Sequence, residues 1–558
     1  YGHRAFPLDA PGVAAGGGAL TVSLQGATAS GIAGEHHALV ALNGAPLGET
    51  SWTGIAARQA TFAIPSGLLQ ETGNQVTVTA QTGSGAPYSF FYVDSFDLSY
   101  PRSFRAAGDG LAFTAGGPQV TVGGFSSPAV PLLDVADPLH PRWITGAAAA
   151  APDGAGGYQV SFAPSAQARY LAAGPAAVAT LAADRAWSPA ALKARGNRAA
   201  YLVIAPVALR DAAERLANLR RAQGLEAMVV DLDQVMDEFN AGSSDPHAIR
   251  AFLAWAYGHW SLPPRYVALA GAGTVDYRNL LGYGDDLVPP LMLQSPGGLF
   301  PSDNLLGDVD GDGRPEMAVG RLPVLSAAEL DAYTAKLAAY EGSAAADWTG
   351  RAVLVSDAPD RGADFTADSE RIAAQISPLY ALSRIDLATL PLADARSQLL
   401  GAFGQGAAFL NYTGHGGFDR LSSGGLLTSA DVPGLTNGGR LPVVTALTCV
   451  INRFAVPGFA SLGELLVKSG AGGAAAVWGP AGLSASGEAR LLGERFYASG
   501  AGPDARLGDR VLRAIADFRT LGGDPGLPQF YSILGDPALR LQPPPPPAVT
   551  GTGSGTRE

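Results

Sequence analysis

The chain has 558 residues, 47% of them hydrophobic and 15% charged, a globular composition that excludes a disordered chain and leaves room for three or four domains of about 150 residues. A net charge of −12 with only three lysines, Lys193, Lys336 and Lys468, argues against nucleic acid or an anionic membrane as the main partner. Cys449 is the single cysteine, which excludes an intrachain disulfide and any multi-cysteine metal site and leaves the thiol either packing or chemistry.

Gly 73 and Pro 41 form about a fifth of the chain, against roughly 12% in average usage, so loops and short β elements are expected throughout. Residues 1–190 are rich in Gly, Thr, Ser and Val, with alternating runs at 19–24, 75–80 and 89–98 between Gly and Pro turns. That pattern predicts an all-β, sandwich-like region. From residue 201 the period changes. Apolar runs at 201–205, 227–232 and 266–270 alternate with helical segments at 211–223, which sets Ala212, Leu216 and Leu219 on one face, and at 246–260. Such alternation implies βαβ units and a parallel sheet.

After a helix-like stretch at 327–340 the alternation resumes. Strands are predicted at 352–356, 383–387, 407–412, 442–448 and 474–478, with helices at 368–376, 393–403 and 461–469. Two α/β subdomains result, 191–345 and 346–542, followed by a tail at 543–558. The tail opens on five prolines and ends in Gly, Ser and Thr, the composition of a stiff spacer running into a flexible linker. No run of 18 or more strongly apolar residues predicts a transmembrane helix. Because the chain starts at Tyr1 and not at Met, the absence of a signal peptide is uninformative.

In an open parallel α/β sheet, ligands bind beyond the carboxyl ends of the strands. The strand at 407–412 runs into Thr413-Gly414-His415-Gly416-Gly417, and the strand at 442–448 runs into Cys449. His415 and Cys449 are thus expected at one edge of the sheet. An imidazole can deprotonate a thiol and later protonate a leaving amine. The N–H groups of Gly416 and Cys449 can bind an oxyanion, worth roughly 3 to 4 kcal/mol of barrier per donor. An inert buried cysteine and a solvated loop histidine are the competing readings.

The block Asn411-Tyr412-Thr413-Gly414-His415-Gly416, with Cys449 placed 34 residues after His415 in Leu441-Pro442-Val443-Val444-Thr445-Ala446-Leu447-Thr448-Cys449-Val450, resembles the gingipain family of cysteine endopeptidases, in the caspase-like clan. Similar segments follow in family order. They are Tyr266 to Gly271, Ser302-Asp303-Asn304 through Val319-Gly320-Arg321-Leu322-Pro323, and Leu534 to Leu541, so the resemblance covers about 200–541. It implies a caspase-like fold, Cys449 as nucleophile, His415 as general acid/base, and Gly416 with Cys449 as oxyanion hole. Asp357 occupies the place of a carboxylate that orients the histidine, where the family more often shows Glu. Glu464 also matches a family position, against a plain helix-surface reading, and Trp478 falls where the family builds a pocket wall or simply packs the core. The β-rich region is similar to the accessory or pro-domain of bacterial relatives, so the chain is either a zymogen or permanently two-part. Arginine-specific members hold an acid in the specificity pocket. Asp360, Asp364, Asp368 and Glu370 are the acids near that place, and they favour a basic residue on the acyl side of the scissile bond.

Asp308-Val-Asp310-Gly-Asp312-Gly313-Arg-Pro-Glu316 sets three carboxylates at alternate positions with a Gly after the third, the first half of an EF-hand-like loop. Position 12 is Val319, so the bidentate Glu is missing and Glu316 stands at position 9. The expected ion is a structural Ca²⁺, which millimolar extracellular calcium would load. His3, His36, His37, His140, His247 and His259 lack metal-ligand spacing or a Cys partner and read as structural or solvated. The whole describes a secreted or cell-surface bacterial cysteine endopeptidase acting on protein or peptide substrates. Its rivals are a sortase-like transpeptidase of the same family and a catalytically silent binding or adhesion protein.

Overall fold

The computed structural model describes residues 2–545 apart from 82–84, 87, 88, 146, 148, 149, 166, 167, 181–189, 296, 297, 377, 379 and 500–504. The chain divides into two compact units, Tyr1–Ala186 and Trp187–Glu558. Beyond residue 545 the predicted tail lies outside the described residues.

The first unit is built of antiparallel sheets of three and four strands around two separate cores. In the first core, the strand Gly18–Gly26 pairs with Ala57–Ile64 and Phe91–Ser99. Its alternation turns Leu20, Val22 and Leu24 inward against Val40, Val76 and Val78, the two-residue period that the sequence displays. The second core gathers Val122, Phe125, Phe162 and Tyr170.

The second unit holds a single ten-stranded sheet. In chain order its strands are β1 (Tyr201–Ala205), β2 (Ala227–Asp231), β3 (Tyr266–Ala270), β4 (Ala318–Leu322), β5 (Arg351–Ser356), β6 (Ala381–Asp386), β7 (Phe409–Thr413), β8 (Val443–Leu447), β9 (Ala476–Pro480) and β10 (Tyr531–Leu534). Their order across the sheet is β2-β1-β3-β4-β10-β9-β8-β7-β5-β6. Both predicted α/β stretches therefore contribute to one continuous sheet. Every neighbouring pair is parallel except β9 and β10. The strands from β2 to β10 thus point one way and those from β9 to β6 the other.

Helices cover both faces, which explains why the strands read as unbroken apolar runs. Tyr201, Val203 and Ala205 of β1 pack in one core with the helix Arg210–Ala222, while Leu202 and Ile204 pack in the other with Pro246–His259. Pro246 fits the first turn of its helix, where its missing N–H costs nothing, and Asp245 caps the turn by accepting from His247 N. Among the described residues no helix is long and apolar enough to cross a membrane.

Two buried ion networks hold the β1 to β4 half together. Arg220 donates to Asp536 and Glu341, and Asp536 also accepts from the Tyr201 hydroxyl at 2.8 Å. Arg321 forms a two-bond pair with Asp303 and donates to the carbonyls of Gly271 and Val288. Segments far apart in sequence, at 201, 220, 341 and 536, meet in the first of these networks.

Candidate active site

β7 and β8 are adjacent and parallel, with Asn411 opposite Thr445 and Thr413 opposite Leu447. The register offset is 34 residues, the same as the spacing from His415 to Cys449. Each residue therefore stands two positions beyond its strand, side by side at the carboxyl edge, and both line one cleft of about 180 Å³.

The His415 ring is held from two sides. Its Nε2 lies 2.7 Å from Asp360 Oδ2, and Phe365 meets it edge to face at 5.1 Å. An N–H on Nε2 toward the carboxylate leaves Nδ1 as the nitrogen able to take a proton. The other oxygen of Asp360 accepts from Gly362 N and Ala363 N at 2.7 and 3.0 Å. Together with His415, these bonds hold the Asp360 carboxyl down at about 2. Both side chains remain open to solvent, with 53% exposure for His415 and 42% for Asp360.

Asp357 is brought to the same loop but does a different job. It is nearly buried and accepts from His415 N and the Tyr412 hydroxyl, each at 3.2 Å, from Ser422 Oγ at 3.1 Å and from Ala358 N at 3.0 Å. Tyr412 also donates to His415 O at 2.6 Å, and Ser422 N to the same oxygen at 2.8 Å. Asp357 thus fixes the main chain that carries the imidazole, where the resemblance implies a contact with the ring. The cause lies in the loop course. Three residues on, Asp360 reaches Nε2 from solvent, while Asp357 is turned inward under the strand end.

Cys449 is half-buried. Its thiol donates to Ser484 O at 3.7 Å, and Sγ accepts from Ser484 N at 3.4 Å. Burial pushes the thiol pKa up, opposed by the Ser484 N–H. In this state the sulfur bonds to Ser484 and not to the imidazole. The N–H of Cys449 donates to no acceptor among the described residues. Val450, the next residue, has φ +46°, a left-handed conformation that costs a β-branched residue about 1–3 kcal/mol. It is held by Val450 N donating to Gly482 O and Asn452 N to Pro480 O. Position 416 admits only glycine, since a Cβ there would stand 2.3 Å from Thr448 Oγ1 and 2.9 Å from Cys449 O.

Glu464 is buried as the partner of Ser461 in a capping box at the start of the helix Leu462–Lys468, and burial raises its pKa to about 7. It neither reaches the cleft nor lies on a helix surface. Trp478 is fully buried and stacked on Phe496 at 4.7 Å. Ser484 and the ring contact of Asp360 escaped sequence reasoning. The signal for Asp360 was its place among the acids after β5, whereas for Ser484 no local pattern announces it.

In the acidic loop, Asp308, Asp310 and Glu316 bring one carboxylate oxygen each within 4.8 Å of one another. Asp312 is not in that group. It is exposed and accepts from Arg314 N at 2.8 Å. Asp308 is buried and accepts from Gly311 N and Gly313 N, which shapes the turn. Burial, with Asp310 and Asp308 adding to it, raises the Glu316 pKa. No arginine or lysine side chain pairs with these carboxylates among the described residues. The convergent hard oxygens fit a hard cation.

The model of peptidase family C25 matches residues 194–542. No curated protein matches the chain in sequence. Among solved structures it is similar to a complex of Porphyromonas gingivalis RgpB pro- and mature domains, at 19% identity and TM-score 0.52, over 63% of this chain and 81% of that one. It is also similar to the Arg-specific cysteine proteinase gingipain R (RgpB), at 19% identity and TM-score 0.52, over 64% and 82%. At that identity the likeness is one of fold, an α/β region built on a large mixed sheet.

Proposed function

The chain belongs to peptidase family C25 and is a cysteine-type peptidase acting on protein or peptide substrates, and from that premise we propose that Cys449 and His415 are its catalytic pair in an endopeptidase. The observation that carries this reading is their equal offset beyond adjacent parallel strands, facing one cleft. The thiol passes its proton to His415 Nδ1, and the thiolate attacks the scissile carbonyl carbon. The N–H groups of Cys449 and Gly416 receive the negative charge on the carbonyl oxygen. His415 then protonates the leaving amine as the C–N bond breaks, leaving a thioester on Cys449. Water, deprotonated by His415, attacks the thioester and releases the carboxylate product and the thiol. Asp360 acts as the positioning residue by holding Nε2, and Asp357 holds the loop.

Cleavage of a peptide library by the wild type should be lost, by a factor of about 10³ or more, in Cys449→Ala and in His415→Ala, both folded by circular dichroism. Retained cleavage in Cys449→Ala would sink the assignment.

Asp308, Asp310 and Glu316 form the proposed Ca²⁺ site, with Asp312 shaping the turn from outside. The ion would neutralise their charge and clamp the loop before β4. At millimolar calcium and a Kd near 10⁻⁴ M, it adds about 1–2 kcal/mol. A chelator should therefore lower Tm in the wild type and not in Asp308→Asn. Extracellular calcium would load a site of that strength, which goes with a secreted or cell-surface location, with residues 1–190 as accessory or pro-region. Release of that region by limited proteolysis, with a rise in activity, would distinguish a zymogen from a permanent accessory domain.

A further inference from the structure

The cleft beside Cys449 and His415 offers a side-chain pocket walled by Ala363, Phe365, Leu447, Ser484, Ser486 and Ala489. Asp360 is its one acidic wall residue, and both of its oxygens are already engaged, one by His415 and the other by two backbone N–H groups. The remaining acids of this region are committed as well. Asp364 caps the helix Phe365–Ala373 by accepting from Ala367 N at 3.0 Å, Asp368 pairs with Arg490 at 3.1 Å, and Glu370 pairs with Arg384 at 2.9 Å. Asp357 is enclosed beneath the loop by four donors.

A guanidinium or ammonium entering this pocket would meet only Asp360, whose two oxygens already accept from His415 and two backbone N–H groups, so no carboxylate is left dedicated to it. An acidic side chain would find no arginine or lysine in the wall. Neither sign of charge therefore has a dedicated partner here.

We propose that the pocket selects an uncharged side chain, small or aliphatic, on the acyl side of the scissile bond, an inference that rests on the Cys449 peptidase reading. The acids that suggested a basic residue in the sequence instead serve the imidazole, a helix cap, one part-buried ion pair and one surface ion pair. The preference also separates this chain from the Arg-specific proteinase whose fold it shares.

The test uses the full chain, before and after limited proteolysis, with fluorogenic peptides that vary the residue at this position. Leu, Ala and Val should exceed Arg, Lys, Asp and Glu by about tenfold or more in kcat/KM. Ser486→Asp, at the first residue of a helix where a carboxylate is well tolerated, should shift the Arg to Leu ratio toward Arg by about tenfold. Labelling of Cys449 by Leu- and Arg-based acyloxymethyl ketones gives a readout that does not depend on the variant. Faster labelling or cleavage with Arg, Lys, Asp or Glu in the wild type would overturn the preference and leave the peptidase reading standing. Absence of both cleavage and Cys449 labelling with every probe would overturn that reading and the preference with it.

Discussion

In the half of the sheet formed by β1 to β4 and β10, the guanidinium groups of Arg220 and Arg321 are fully buried and meet Asp536, Glu341 and Asp303 in closed networks. In the half formed by β5 to β9, the pair of His415 and Asp360 stands about half exposed at the carboxyl edge, beside a half-buried thiol. The first arrangement satisfies its charges internally, so losing a member costs folding free energy. The second leaves bonding capacity open toward the cleft, so losing a member costs chemistry.

That contrast can be broken first where the effect is largest. Arg220→Met strands Asp536 and Glu341 without their cation and should destabilise by about 3–5 kcal/mol in urea melts, with kcat of the folded protein changed less than about twofold. Asp357→Asn lies between the two regimes. It should cost about 1–3 kcal/mol, because a buried acceptor of four bonds is converted, and should lower activity by displacing the His415 main chain. Asp360→Asn belongs wholly to the second regime. The melting temperature should hold, while kcat/KM falls about 10- to 100-fold, and Asp360→Glu should recover part of that loss. Equal stability losses in the two Asp variants would erase the distinction drawn between them.

The smallest effect concerns pH. Glu464 titrates at about 7 in the fold against 4.5 ordinarily, so the native state binds more protons than the unfolded chain between those values. Its contribution to stability is full below about pH 4.5, declines as pH rises to about 7, and is level above. Glu464→Gln keeps an acceptor for Ser461 and should flatten that slope in Tm measured from pH 5 to 8, with a gain of about 1–2 kcal/mol at pH 8.

The sequence announces β1 and β3 to the residue, because a buried parallel strand is a short apolar run between turn formers. Neither β10 nor its reversed direction is legible. Tyr-Ser-Ile-Leu is too short and mixed to stand out, and its antiparallel pairing with β9 is a tertiary choice. The helix Ser486–Ala498 is masked by Gly487 and Gly493, the second of which is needed because a Cβ there would lie 2.5 Å from Leu447 Cδ1. The spacing of His415 and Cys449 equals a strand register, so the pair is readable in one dimension. Which acid reaches the imidazole depends on how Asp357-Ala-Pro-Asp360 turns in space, and no local pattern encodes that. For Glu464 the capping signature Ser461-Leu-Gly-Glu464 is plain in the sequence, and only its burial is not.

The reversal between β9 and β10 sets the amino end of β4 on the same rim of the sheet as the carboxyl end of β8. Across β10 and β9 that is three strand spacings, about 14 Å. The acidic loop and the thiol therefore share one rim. Asp308 N donates to Asn304 O, the Asn304 amide donates to Tyr531 O, the Tyr531 phenol bonds the Ser484 hydroxyl, and Ser484 N donates to the sulfur. From loop to nucleophile, five residues along the rim are braced in series by four hydrogen bonds.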